Sequence, residues 1–251
     1  MIDLHCHLLP GLDDGPADLE ATFELARAQV SAGVEKVLCT PHVNHGYPAN
    51  VSTAIIQRTQ ALRRSLHEAG IPLRIQAGAE VAVTKAVELD DTELELLHLG
   101  AGPWLLLEAP LSTDFPQLDG LVAGLRARGH EILLAHPERC ALFHRDPALL
   151  AGLIARGAAA QVTATSLTGD FGRTVERFAR SMVEDGLVHV IASDAHSARR
   201  RGPGLAGPLT EAGLDWLTDY ACAAVPGAML AGESLPGAPE LPRKRRRFGR
   251  G

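Results

Sequence analysis

Four cysteines occur in 251 residues, and no two of them form a C-x-x-C pair. Cys6, Cys39, Cys140 and Cys222 are too scattered for a zinc knuckle or a dense disulfide framework. They fit free thiols in a reducing cytosol. No apolar run reaches about 18 residues, so no membrane span is expected. No basic stretch followed by an apolar one opens the chain, so no signal peptide is expected and the location reads as cytoplasmic. No G-x-G-x-x-G follows the first apolar run, and G-x-x-x-x-G-K-[ST] is missing altogether, which argues against dinucleotide and P-loop chemistry. Positive charge is not in excess either. The net charge of −6 argues against a general nucleic-acid partner.

What is present is an alternation. MIDLHC, EKVLCT, LRIQAGAE, WLLLEA, EILLAH, AAQVTA and VHVIAS are short apolar runs, as expected of parallel strands buried on both faces. Amphipathic segments separate them. Asp18 can cap a helix with Leu19, Phe23, Ala26 and Val30 on one face, ended by Gly33. Ile55, Leu62 and Leu66 mark a second helix before Gly70. Leu118, Val122 and Leu125 mark another before Gly129. Asp146-Pro147 opens one with Leu149, Leu150, Leu153 and Ile154. Phe171, Val175, Phe178 and Met182 mark the next, before Gly186. Seven strands with intervening helices predict a parallel α/β domain, and about 250 residues is an ordinary length for a single barrel. An open sheet and a closed barrel share this pattern. Beyond Gly232, glycine, proline and basic residues dominate and predict a flexible tail.

Ligating side chains fall at the strand ends. His5 and His7 end the first run, with Asp14 in the loop after it. His42 follows the second, in TPH. Glu80 ends the third, Glu108 the fourth and His136 the fifth. Asp194 and His196 end the seventh. The sixth offers only Gln161, Thr163 and Thr165. In a parallel barrel these ends share the rim on which active sites are built. Residues two apart on a strand point the same way, so His5 and His7 can converge while Cys6 faces away. Helix capping would account for Asp14 and Asp194. It accounts poorly for Glu108 inside an apolar run, where a carboxylate needs a partner. Imidazole and carboxylate without thiolate suit Mn, Fe or Zn. The set is large enough for two or three ions. His45, His67, His98, His130, His144 and His189 read as structural or solvent-facing.

HCH…DD, TPH, GAE, HPER and SDAH, in that order, resemble the polymerase-and-histidinol-phosphatase (PHP) superfamily. MIDLHCHLLPGLDDG, GAEV, QVTATSLTGDFG and SDAHS are similar to the manganese-dependent protein-tyrosine phosphatases of bacterial capsule and exopolysaccharide loci. The resemblance spans roughly residues 1–225, judged by ordered motifs. It implies a single-domain α/β fold, a distorted (β/α)7 TIM-like barrel over residues 1–231, with 232–251 as a basic tail. It implies two or three Mn2+ ions (Fe or Zn as alternatives) on His5, His7, Asp14, His42, Glu80, Glu108, His136, Asp194 and His196. His5, His7, Glu80 and Asp194 would share one ion. Glu80, Glu108 and His136 would share a second, and Asp14, His42 and His196 a third. Arg139 in HPER and Arg201 in SARRRG would grip the phosphate. The implied reaction is hydrolysis of phosphotyrosine by a hydroxide shared between ions, on the tail of a bacterial tyrosine kinase. The alternative is a small-molecule phosphatase of the superfamily, acting on histidinol phosphate or a nucleotide. A binding module without turnover is a further rival, and the intact ligand set argues against it. Two positions depart from the family pattern: Cys140 stands where an aromatic residue is usual, and Val43 where a second histidine is common. Covalent cysteine chemistry would need C-x5-R. Six positions after the cysteines lie Leu12, His45, Asp146 and Ala228, so that route lacks its arginine. The run Arg243–Arg247 reads as a solvated end, with peripheral contact to an anionic membrane as the most it would do.

Overall fold

The computed structural model describes residues 1–110 and 114–240. Its strands are β1 (Ile2–Cys6), β2 (Lys36–Cys39), β3 (His42–Val43), β4 (Arg74–Ala77), β5 (Glu80–Ala82), β6 (Trp104–Glu108), β7 (Glu131–Ala135), β8 (Ala159–Thr163) and β9 (Val190–Ala192). Every ladder among them is parallel. They lie in two sheets, β1-β2-β4 and β3-β5-β6-β7-β8-β9.

The two sheets follow one seven-strand path. The second expected strand ends at Cys39 and β3 follows it after Thr40-Pro41, while the third is interrupted at Gly78-Ala79. Pro41 has no N–H for a ladder. A Cβ on Gly78 would lie 2.9 Å from Leu99 Cδ2. Glu80 N still donates to Pro41 O at 3.1 Å, so the neighbours stay in register across the gap. No ladder joins β1 to β9. An isolated parallel bridge from Cys6 to Ala195 brings them together, with Asp194 N donating to His5 O (2.8 Å) and His7 N to Ala195 O (2.9 Å).

Strand alternation sorts the core. Leu106, Leu133, Ala135, Ala159, Val190 and Ala192 share a cluster with Leu4 and Leu38. The intervening residues Leu105, Leu107, Ile132, Leu134, Ala160, Val162 and Ile191 pack in the other, larger cluster beneath the helices. Register pairs Glu80 with Leu106, and Glu108 with Ala135, which pairs with Gln161. The polar side chains of the site therefore stand on the face that carries the smaller cluster. The helix Val225–Ala231 closes that cluster through Val225, Met229 and Leu230, and Leu235 packs against it. Gly102 permits this approach, because a Cβ there would lie 2.1 Å from Met229 O.

The helix Leu19–Ser31 forms with Asp18 as its cap, Ala21 N donating to the Asp18 carboxylate. Its buried face differs from the expected one. Thr22, Leu25, Ala26 and Gln29 are buried, while Leu19 is 41% exposed. Hydrogen bonding decides the rotation: Gln29 Nε2 donates to Asp3 Oδ2 at 2.7 Å and Thr22 Oγ1 to Leu8 O at 3.3 Å. The helices Ser52–Glu68, Leu118–Ala127 and Pro147–Ala155 bury the expected Ile55, Leu62, Leu66, Leu118, Val122, Leu125, Leu150 and Leu153. Phe171 precedes the helix Arg173–Glu184 and is not part of it. No helix among the described residues is long and apolar enough to cross a membrane. Arg243–Arg247 lies outside the described residues.

Candidate metal centre

The strand ends bring the candidate ligands into one cluster. His5 Nε2 lies 3.3 Å from His7 Nε2, 3.3 Å from Glu80 Oε2 and 3.3 Å from Asp194 Oδ1. His42 Nδ1 lies 2.9 Å from Glu80 Oε2 and 4.0 Å from Glu108 Oε2. His136 Nε2 meets Glu80 Oε1 at 2.7 Å. Asp14 Oδ1 lies 3.1 Å from His196 Nε2 and 3.5 Å from His42 Nε2. Three groups have ligand atoms close enough for an ion: His7, Asp14, His42 and His196; His5, His7 and Glu80; and His42, Glu80 and Glu108. His7 thus stands nearer the Asp14 group than expected, and His42 reaches both Glu80 and Glu108.

The proton positions follow from the partners. Gln161 Oε1 takes the backbone N–H of His136 at 3.2 Å. An N–H can only donate, so that Gln161 atom is the oxygen, and His5 Nδ1 at 3.0 Å must also donate to it. His7 Nδ1 donates to Asp13 Oδ2 at 2.7 Å, and His196 Nδ1 to the Asp194 carbonyl at 2.9 Å. In all three neutral rings the lone pair is left on Nε2. The Nε2 atoms of His5 and His7 then face each other at 3.3 Å, an arrangement that calls for a proton or a metal cation between them. His42 Nδ1, Glu80 Oε2, Asp194 Oδ1 and His196 Nε2 are buried, and their close contacts, such as the 2.9 Å between His42 and Glu80, lack hydrogen-bond geometry. Buried polar groups of this kind need a partner. A hard or borderline cation is the chemistry this donor set fits.

The electrostatics agree. Burial alone would lower the pKa of His5 and His7, but Glu80 and Asp194 raise the first, and Asp13, Asp194 and Glu80 raise the second well above the usual range. Burial alone would raise Glu80, but His5, His136 and His42 hold it well below a normal carboxylate. The pocket favours positive charge at His5 and His7, whereas burial lowers the pKa of His136 and His196. Glu108 is pushed up to about 7, by burial and then by the charge of Glu80.

Both candidate arginines converge on Asp194. Arg139 Nη1 donates to Asp194 Oδ2, and Arg201 Nη2 reaches the same oxygen at 2.5 Å. Asp194 Oδ1 meanwhile faces His5 and His7. The Arg139 guanidinium also lies 4.6 Å over the Phe171 ring, a cation–π contact. Among the described residues, His136 (φ 30°), Asp194 (φ 51°) and Arg201 (φ 48°) are the non-glycine residues with positive φ. All three belong to this site, where strained backbone tends to collect. Tyr47 stacks on His42, with centroids 5.8 Å apart, beside a cleft of ≈ 390 Å³ lined by Val43, Asn50 and Lys85. Of the other expected rim segment, Pro110 to Pro116, residues 111–113 lie outside the described residues.

Two supporting residues are additions to the expected set. Asp13 is the other half of the DD pair that carries Asp14. Its position in a glycine turn two residues before Gly15 was the available signal. Gln161 stands at its strand end with nothing in the local sequence to mark its contact with His5. The remaining histidines stay apart from the centre: His45 pairs with Glu88 on the surface, and His98 with His130. All four cysteines are buried, and burial pushes the Cys39 and Cys222 thiols up to about 12. None is a ready nucleophile.

An α/β fold of parallel strands with a histidine–carboxylate centre on one rim defines a class of metal-dependent hydrolases. The family model described as "Capsular polysaccharide synthesis, CpsB/CapC" matches residues 1–212. The chain is 37% identical to the tyrosine-protein phosphatase YwqE of Bacillus subtilis (strain 168) over 201 residues, covering 80% of this chain and 79% of that one. It is 26% identical to the tyrosine-protein phosphatase CpsB of Streptococcus pneumoniae over 208 residues, covering 81% and 86%. A chain from the crystal structures of YwqE and CpsB, described there as metal-dependent tyrosine phosphatases, matches with a TM-score of 0.83. It shows 31% identity and covers 98% of this chain and 100% of that one. The chain belongs to the CpsB/CapC family.

Proposed function

We propose that this protein is a metal-dependent protein-tyrosine phosphatase of capsule or exopolysaccharide synthesis, with the tail of a bacterial tyrosine kinase as substrate and the cytoplasm as its location. The observation that carries the reading is the convergence of imidazole nitrogens and carboxylate oxygens on one point: His5 Nε2 and His7 Nε2 at 3.3 Å, ringed by the orphaned atoms of His42, Glu80, Asp194 and His196. The names of the relatives support the choice of substrate.

His5, His7, Asp14, His42, Glu80, Glu108, His136, Asp194 and His196 would hold two or three ions. Mn2+ is proposed, and Fe or Zn suit the same donors. Such ions supply Lewis acidity and make water a stronger nucleophile near neutral pH. The chain's own residues do the rest. Arg139 and Arg201, already joined at Asp194, offer forked donors to the non-bridging oxygens of a phosphate. Asp194 turns one oxygen to the histidines and the other to the arginines, so it couples the two halves of the site. Gln161 and Asp13 hold the rings of His5 and His7 with Nε2 inward. Tyrosine leaves as a phenolate of pKa about 10, which spares the site a strong general acid. The catalytic unit proposed is residues 1–231. The tail proposed is 232–251, and Leu235 in it still packs against the smaller core cluster.

The test is turnover of a tyrosine-phosphorylated peptide, its serine-phosphorylated twin and histidinol phosphate, each with Mn2+ and with chelator. Mn2+-dependent cleavage that prefers the tyrosine peptide is expected. Preference for histidinol phosphate would keep the site and discard the substrate. Full activity after exhaustive chelation would discard the site.

A further inference from the structure

We infer that Asp13 is a positioning residue that ties three arms of the centre together; this rests on the metal reading proposed above. Its side chain is fully buried, with 0% exposure. Oδ2 accepts from His7 Nδ1 at 2.7 Å and from the backbone N–H of His42 at 2.9 Å. Oδ1 accepts from the backbone N–H of Gly15 at 3.0 Å. One carboxylate thus joins the residue after β1, the first residue of β3 and the turn that carries Asp14. Those three places supply His7, His42 and Asp14, which with His196 form one ligand group.

The chemistry requires an acceptor here. A carboxylate accepts and does not donate, so the His7 proton is held on Nδ1. Any proton His7 loses to an incoming cation is then the one on Nε2. A carboxylate behind a ligating imidazole also raises its basicity and sets its orientation. Gly15 makes the close turn possible, because a Cβ on it would lie 2.5 Å from His7 O. The backbone therefore wraps tightly around the same carboxylate. Asn is isosteric but incomplete. If its oxygen serves His7 and His42, its NH2 meets the Gly15 N–H. If it is reversed, its NH2 meets two donors. Asp14, one residue away, comes only to 4.0 Å of His7 Nδ1, is 47% exposed, and meets His196 Nε2 at 3.1 Å instead.

The experiment measures Mn2+ affinity by calorimetry and amide hydrogen exchange of the metal-free protein, for wild type, Asp13→Ala and Asp13→Asn. Asp13→Ala is expected to weaken Mn2+ binding about ten- to hundredfold and to speed exchange at His42 and Gly15 ahead of the rest of the chain. Asp13→Asn is expected to fall between it and wild type. Uniformly faster exchange with wild-type Mn2+ affinity would mean a purely structural role and overturn the inference. If Asp13→Ala does not fold, Asp13→Asn decides, and wild-type affinity in that variant overturns it. A wild-type protein that binds no Mn2+, Zn2+ or Fe2+ would instead sink the metal reading, so the two failures are distinguishable.

Discussion

Asp194 is the residue on which the site's two charge systems meet. Its Oδ2 carries both guanidinium groups, and its Oδ1 stands 3.3 Å from His5 Nε2. On the proposed reading, a phosphate at the centre would find both arginines within one carboxylate's reach of the candidate ligands. Arg139→Ala is expected to lower kcat/KM for a phosphotyrosine peptide about ten- to hundredfold, the size of a lost charged hydrogen bond. Arg139→Lys should recover little, because a single ammonium cannot reproduce the fork or its contact with Phe171. Steady-state kinetics decide this, and an unchanged kcat/KM in Arg139→Ala would take Arg139 out of phosphate binding. The thiols make an opposite prediction. They are buried and free, so iodoacetamide should leave turnover intact under conditions where a chelator stops it. Loss of activity in proportion to alkylation would contradict a metal mechanism.

At the scale of elements, two glycines separate stability from ligand binding. Gly102 lies where the loop before β6 meets the last helix, and a Cβ there would strike Met229 O at 2.1 Å. Gly102→Ala is expected to cost about 1–3 kcal/mol of overpacking, or about 2–12 °C in Tm for a chain of this size. Mn2+ affinity should stay near wild type, because that contact lies in the floor formed by the Val225–Ala231 helix. Gly15→Ala should do the reverse in emphasis. Its Cβ would collide with His7 O, pushing the turn that carries Asp14 away from β1. Calorimetry on both variants tests the pair, and equal losses of affinity would refute the separation. Much of this level was legible in the sequence. All seven apolar runs became strands, because buried parallel strands need continuous Val, Ile and Leu. The breaks at Pro41 and Gly78 carry local marks, a missing N–H and a missing Cβ, but that the ladder resumes in a second sheet beyond them was not legible. The rotation of the first helix was not legible either. It answers to Asp3, which Gln29 reaches across 26 positions of chain.

For the whole molecule, acid sensitivity should come partly from a pair far from the centre in the contacts it makes. His98 Nε2 donates to His130 Nδ1 at 2.9 Å, and His130 Nε2 to Asp91 Oδ1 at 3.1 Å. Burial, and then the charge of His130, lower the His98 pKa from 6.5 to about 4. The unfolded chain binds that proton first, near pH 6.5. The stability involved is present above pH 6.5 and is lost as pH falls from there to about 4. The urea midpoint of the metal-free protein should drop across that window, and drop less in His98→Gln, whose amide can still donate to His130. Identical slopes for the two proteins would remove His98 from the account. Metal should act on the whole fold as well. An ion that binds the folded state at a hundred times its Kd adds about 2.7 kcal/mol, so chelation should lower the wild-type Tm.

The candidate ligand positions were determined by the sequence alone. H-x-H, TPH, GAE, HPER and SDAH each end an apolar run, and parallel strands of similar length must deliver such ends to one rim. The residue types, imidazole and carboxylate without thiolate, also restricted the chemistry before any contact was known. Which nitrogen of each ring faces the centre was decided only by the tertiary structure. That choice rests on acceptors supplied from elsewhere, as when Gln161 fixes His5 from 156 positions away. The convergence of Arg139 and Arg201 on Asp194 is likewise tertiary, since 55 and 7 positions separate them from it. The physical reason is the same in both cases. Backbone periodicity is local and can be read along the chain, whereas the direction of a hydrogen bond depends on whatever the fold places opposite.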